Sequence, residues 1–130
     1  MADYRAPLRD MQFLLHKVFT LPNQWAEMPA LAEMSEDLAD AVLAEGDKVC
    51  AQLFAPLNRT GDEEGCQWTD GQVTTPAGFR DAWQTFAEAG WVGLGGNPEF
   101  GGQGAPKGLT VLFEEMQYAT NSSLALYSVL

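Results

Sequence analysis

An all-α helical bundle is the fold the sequence predicts, and three observations carry that prediction. Apolar residues recur at three- and four-residue spacing in four stretches of the 130-residue chain. Prolines or glycines mark the ends of those stretches, where helices start and stop. No stretch alternates apolar and polar residues as a half-buried strand would. With 46% hydrophobic residues, 4 Trp and 7 Phe, the chain has material for a packed core around which such helices can gather.

The first helix is expected over Pro7 to Phe19. Leu8, Met11, Leu15 and Val18 follow helical spacing, and Pro7 suits a first turn. Phe13, Leu14 and Phe19 widen its apolar face, which calls for burial on two sides or against another chain. Leu21-Pro22-Asn23 ends it, and Trp25 to Leu31, with Pro29, reads as a turn or a brief helix. The long second helix runs from about Ser35 to about Phe54. Ser35 caps it, and Glu36 and Asp37 suit its positive first turn. Leu38, Val42, Val49, Leu53 and Gly46 share one face, with Gly46 admitting a close neighbour. Ala55-Pro56-Leu57-Asn58 closes that helix.

Residues 58–74, NRTGDEEGCQWTDGQVT, are polar and glycine-rich and read as an exposed loop with a turn at Asp70-Gly71. Its acidic run lacks the calcium-loop spacing, so a solvated turn is expected. Thr75 caps the third helix, Pro76 takes its first turn, Phe79, Trp83, Phe86 and Ala87 form its stripe, and Gly90 stops it. The fourth helix spans about Pro106 to about Thr120, with Leu109, Leu112, Phe113, Met116 and Thr120 on one face. SSLALYSVL then opens a further apolar segment, and its end in mid-pattern suggests a chain cut from a longer protein, the alternative being a natural apolar C-terminal helix that docks back on the core.

Charge narrows the function classes. Seven Lys and Arg against 18 Asp and Glu give a net charge of -11, which repels nucleic acids and anionic membrane surfaces. No apolar run is long enough to span a bilayer, and the polar N-terminus does not read as a secretory signal, so a cytoplasmic location is the default. Cys50 is expected to be a reduced, half-buried helix residue and Cys66 a loop residue, with a disulfide the rarer alternative.

Reacting groups are sparse. His16, the single histidine, sits in an amphipathic helix where a hydrogen-bonded structural role is the default. One His and two separated Cys give no zinc set. Glu114 and Glu115 point about 100° apart on a helix and cannot act as a joint pair. Glu114 is expected to face water and Glu115 to lie nearer the apolar edge.

GWVGLGGNPEFGGQGAP (Gly90 to Pro106) holds seven of the 13 glycines. It fails as a dinucleotide fingerprint, because a helix precedes it and Pro98 stands where the third glycine belongs. Trp91, Val92, Leu94 and Phe100 among the glycines predict a folded, packed connection with positive-φ turns.

This loop, as GW-x-GL-x-x-x-PEFGGQG-x-P, and the following EEMQYATNSSLALY (Glu114 to Tyr127) resemble the N-terminal helical domain of acyl-CoA dehydrogenases. YRAPLRDMQFLLHKVF (Tyr4 to Phe19), APLNRTGDEEGC (Ala55 to Cys66) and TPAGF (Thr75 to Phe79) resemble a large bacterial branch that includes 3-methylthiopropanoyl-CoA dehydrogenases. The resemblance divides the chain into an N-terminal extension, 1–32, and a C-terminally truncated family domain, 33–130. It implies a parent flavoenzyme of fatty acid metabolism that oxidises an acyl-CoA to the 2-enoyl-CoA. There a carboxylate takes the α-proton and FAD accepts the hydride. It also implies a homo-oligomer and electron-transfer flavoprotein as partner. The family's catalytic glutamate and most FAD contacts match nothing in this chain, so no catalytic, cofactor or metal residue is assigned. The 130 residues alone are expected to be inactive and to bind no FAD tightly. Leu112, Glu115, Met116 and Ala119 are the candidates for a wall of the acyl pocket. The alternative is a stand-alone helical interaction domain that associates through the apolar face of residues 8–19.

Overall fold

The computed structural model of the chain describes residues 4–129. Leu130 lies outside the described residues, and with it the end of the SSLALYSVL segment. The described chain is mostly helical, as the periodicity predicts. In order it forms α1 (Leu8–Phe13), which widens into a π-turn over Leu14–Val18, then α2 (Leu21–Ala26) and α3 (Glu36–Val49). α3 also widens, over Cys50–Phe54, before a 3-10 turn at Ala55–Leu57 and α4 (Asn58–Glu64). Strands β1 (Gln67–Thr69) and β2 (Gln72–Thr74), then α5 (Phe79–Glu88) and α6 (Lys107–Val129), complete it.

Four expectations about elements change. Residues 58–64 are helical rather than looped, because the chain does not stop at Pro56: Asn58 N–H bonds back to Ala55 and the coil continues. The Asp70-Gly71 turn joins two antiparallel strands, with Trp68 opposite Val73. Asp70 and Gly71 both take positive φ, the geometry that suits a two-residue hairpin. All six strand residues are exposed, so no alternation could have marked them. Thr75 does not cap α5. Glu64 Oε2 accepts the Ala77 N–H at 2.8 Å, Gly78 turns at φ 83°, and the helix begins at Phe79. α2 likewise begins at Leu21, where the sequence suggested an ending. Ser35 does cap α3, its Oγ accepting the Leu38 N–H at 3.1 Å.

The stripe that α3 buries shares with the predicted one only Gly46 and its expected close neighbour. Ala39, Leu43, Gly46, Cys50 and Phe54 are buried, whereas Leu38 is exposed and Val42, Val49 and Leu53 are half-buried flanks. Small residues lie at the centre because α6 approaches closely: a Cβ on Gly46 would sit 2.8 Å from the Phe113 ring. Phe113 is also stacked on Phe86 (6.2 Å between centroids) and touches Trp91 (4.7 Å). Phe86 in turn meets Phe54 at 5.1 Å. Met11, Leu15 and Trp25 join this same core from the N-terminal segment. Two carboxylates of α3 hold that segment in place. Asp47 accepts the Ala6 N–H (2.7 Å), and Asp40 lies 2.7 Å from His16 Nε2. His16 is thus the hydrogen-bonded structural residue its context predicts. Ala87, expected on the α5 stripe, is exposed, and Ala82 takes its place.

The glycine-rich connection is folded, as expected. Residues 93–96 pair with 103–105 through Gln103 N–H to Gly93 O, Gly104 N–H to Gly96 O and Ala105 N–H to Leu94 O. Gly102 is required there, because a Cβ would fall 2.1 Å from the Gly96 backbone. Leu94 is buried and Trp91 half-buried, but Phe100 is 87% exposed. It rides on the 3-10 turn Pro98–Phe100 at the loop's tip, turned away from the core.

Candidate functional site: two clefts beside the last helix

α6 is broken at Asn121, whose backbone leaves the helical region (φ -161°, ψ 88°). Its first arm, 107–120, carries the core residues Leu109, Phe113 and Met116. Its second arm, 122–129, is the apolar segment after the break and returns Leu124 and Ala125 to the core. The two arms and their neighbours frame two clefts.

The larger cleft, of about 310 Å³, lies between the glycine-rich connection and both arms. Trp91, Leu94 and Phe113 give it apolar walls. Thr110, Glu114, Gln117, Ser128 and Lys107 supply polar groups. Gln117 Oε1 accepts the Ser128 hydroxyl at 2.7 Å across the helix break, and Lys107 Nζ pairs with Glu114 at 2.5 Å. The smaller cleft, of about 240 Å³, is almost wholly apolar, lined by Phe79, Trp83, Leu124 and Tyr127 beside Thr75 and Arg80. The Tyr127 hydroxyl stands 3.8 Å from Cys66 Sγ, and that contact first, then burial, pushes its pKa up. Cys50 is fully buried instead of half-buried. Burial pushes its thiol up to about 12, although a Thr120 hydrogen bond pulls the other way. Cys66 is exposed, and both thiols are free.

The four pocket-wall candidates lie along one side of the first arm. Met116 is fully buried against α3, Leu112 is half-buried against the core, and Glu115 and Ala119 are exposed. None of the four lines either of these two clefts. The two glutamates exchange their expected places: Glu114 is partly covered, drawn in by Lys107, and Glu115 is exposed. Two residues that sequence reasoning passed over matter more to the geometry. Gln117 and Asn121 are buried polar residues. Their signal was present: Leu109, Phe113, Gln117 and Asn121 step by four, placing two amides in line with the core.

Among the described residues, no group of three or more His, Cys, Asp or Glu could hold a metal ion. Lys107, the one cation lining the larger cleft, is paired to Glu114, and Arg80 lines the smaller cleft. The smaller cleft offers an apolar and aromatic wall, whereas the larger one is as much polar as apolar.

No family model matches the chain. Curated relatives do. It is 34% identical over 130 residues to 3-methylmercaptopropionyl-CoA dehydrogenase of Ruegeria pomeroyi, aligning 98% of this chain with 21% of that protein. The chain is homologous to the N-terminal part of acyl-CoA dehydrogenases. Butyryl-CoA dehydrogenase of Syntrophomonas wolfei subsp. wolfei is 28% identical over 139 residues, covering 96% of this chain and 21% of its own length. The chain therefore spans about a fifth of the length of these dehydrogenase relatives. The helical architecture agrees with that acyl-CoA dehydrogenase relationship.

Proposed function

We propose that the chain is the N-terminal helical part of an FAD-dependent acyl-CoA dehydrogenase and contributes a wall of acyl-binding space rather than reacting groups. The observation that carries this reading is homology along 98% of the chain to a dehydrogenase of which it spans 21%. The smaller cleft supports it with aromatic and aliphatic walls, at a place apart from the four wall candidates. FAD, the base that removes the α-proton, and contacts to an electron-transfer flavoprotein then belong to the rest of the parent enzyme, a homo-oligomer. Within this chain, 1–32 is the extension and 33–130 the C-terminally truncated family domain. Leu112, Glu115 and Ala119 are the wall's surface candidates, and Met116 backs them from the core.

The test uses the protein read from the whole coding sequence. It should purify with flavin absorbance that bleaches on adding an acyl-CoA. Enlarging Met116 or Ala119 to Phe should shift its preference towards shorter acyl chains. A protein that carries no flavin and leaves acyl-CoA unchanged would sink the reading. Unchanged preference in well-folded variants would remove those residues from the wall.

A second reading is favoured by one observation. Phe13, Leu14, Val18 and Phe19 form an exposed apolar strip on the first helix. A helical interaction domain that docks through this strip would be a complete product of 130 residues, so a stop codon directly after Leu130 is the outcome that supports it.

A further inference from the structure

We propose that Asn121 is a positioning residue for acyl recognition: its buried amide sets the direction of the second arm of α6 and thereby the shape of both clefts. The functional half of this proposal rests on the dehydrogenase reading above.

The chain of causes begins at Pro56. A proline lacks the N–H that a helix would use there, and its ring crowds the carbonyl four residues back. The helix ahead of it widens, with Ala55 N–H bonding to Cys50 across five residues. Asn58 N–H, which a regular helix would give to Phe54, goes to Ala55. The Phe54 carbonyl instead receives the Asn121 side-chain amide, Nδ2 to O at 3.2 Å, across 67 residues of sequence.

The other end of the same amide starts the second arm. Asn121 Oδ1 accepts the Leu124 N–H at 3.0 Å, an N-cap made in the middle of what would otherwise be one helix. Asn121 is 1% exposed, so neither bond has water as a ready substitute. One side chain thus ties the wide turn after α3 to the break in α6. Everything the second arm presents follows from that tie. Ser128 reaches Gln117 in the larger cleft, and Leu124 and Tyr127 line the apolar one. Asn121 lines neither cleft itself, so it acts through these residues.

Two measurements test this. In the 130-residue chain, Asn121→Ser keeps a short acceptor and removes the amide donor, and Asn121→Ala removes both. Backbone amide exchange over 122–128 should rise about tenfold in Asn121→Ala and less in Asn121→Ser, with the amides of Glu36–Val49 unchanged. Ser123→Ala, at an exposed neighbour, should change neither. Unchanged exchange over 122–128, or an equal rise throughout the chain, overturns the positioning role.

In the flavoenzyme, Asn121→Ser should alter the ratio of kcat/KM between short and long acyl-CoA substrates several-fold, mainly through KM, with flavin content retained. Altered exchange with an unaltered ratio overturns the acyl half and leaves the dehydrogenase reading standing. A wild-type protein without flavin or activity sinks that reading, and the acyl half with it. The exchange measurement still decides the positioning half.

Discussion

Gly46 decides how near α6 can come to α3. An alanine there would gain about 1 kcal/mol in helix propensity. It would also put a Cβ 2.8 Å from a Phe113 ring held by Phe86 and Trp91. The ring can shift only by breaking its contacts with Phe86 and Trp91 towards the larger cleft, so overpacking of about 1–3 kcal/mol wins. Gly46→Ala should therefore lower the midpoint of chemical denaturation; a raised midpoint would mean that the aromatic stack yields. His16 lies with its side chain 5% exposed against Asp40, so His16→Ala should cost about 1–3 kcal/mol and loosen the N-terminal segment first, read by limited proteolysis. Cys50 gives a pH signature. Its pKa rises from 9.0 unfolded to about 12 folded, so the unfolded chain releases its proton first as pH increases. Stability is then whole below about pH 9 and falls by about 1.4 kcal/mol per pH unit towards pH 12. Tyr4, pushed to about 12 by burial first and then by Cys50 and Asp47, adds to the same slope. Cys50→Ala should flatten the alkaline limb of a stability-pH curve, whatever it does to stability at neutral pH.

At the scale of elements, the glycine-rich connection is held by backbone, so its weak point is Gly102. Gly102→Ala meets the Gly96 main chain at 2.1 Å. It should open the paired loop and raise amide exchange at Gln103, Gly104 and Ala105, while α3 keeps its protection. The long helices were legible in the sequence because periodicity, the Ser35 cap and the Gly90 stop all agree. Asn58–Glu64 was not, because its glycine and acids resemble loop composition, and its place is set by Gly61 packing on Phe79 from elsewhere in the chain. The hairpin hid for a different reason: with every strand residue exposed, only its Asp-Gly turn left a mark. The true stripe on α3 alternates small with large residues, and its small members Ala39 and Cys50 are ones a search for large apolar residues passes by. At the candidate site, the helices that build it could be read, but the break could not. Asn121 owes its conformation to a carbonyl 67 residues away, and no local pattern reports that.

For the whole molecule, the exposed strip of Phe13, Leu14, Val18 and Phe19, together with Leu126 and Tyr127 on α6, predicts attraction between copies when nothing else covers it. Sedimentation of the 130-residue chain should show mass rising with concentration, and Phe13→Ser with Phe19→Ser should reduce it. A monomer at every concentration would argue that these faces are harmless in water. The same isolated chain, titrated with FAD, should show no stoichiometric yellow complex after gel filtration, since the chain spans only about a fifth of the length of its dehydrogenase relatives.

The wide turn at Cys50–Phe54 bears on how this chain tolerates gain and loss of length. A π-turn holds about one residue more than an α-turn, so it amounts to a stored insertion. Dropping Ala51 could return that turn to ordinary pitch, whereas a deletion within Glu36–Val49 would rotate Cys50 and Phe54 by about 100° out of the core. Among descendants of this sequence, single-residue gaps in the long helix should gather at 50–54, and those that remove the wide turn should also lose the asparagine at 121.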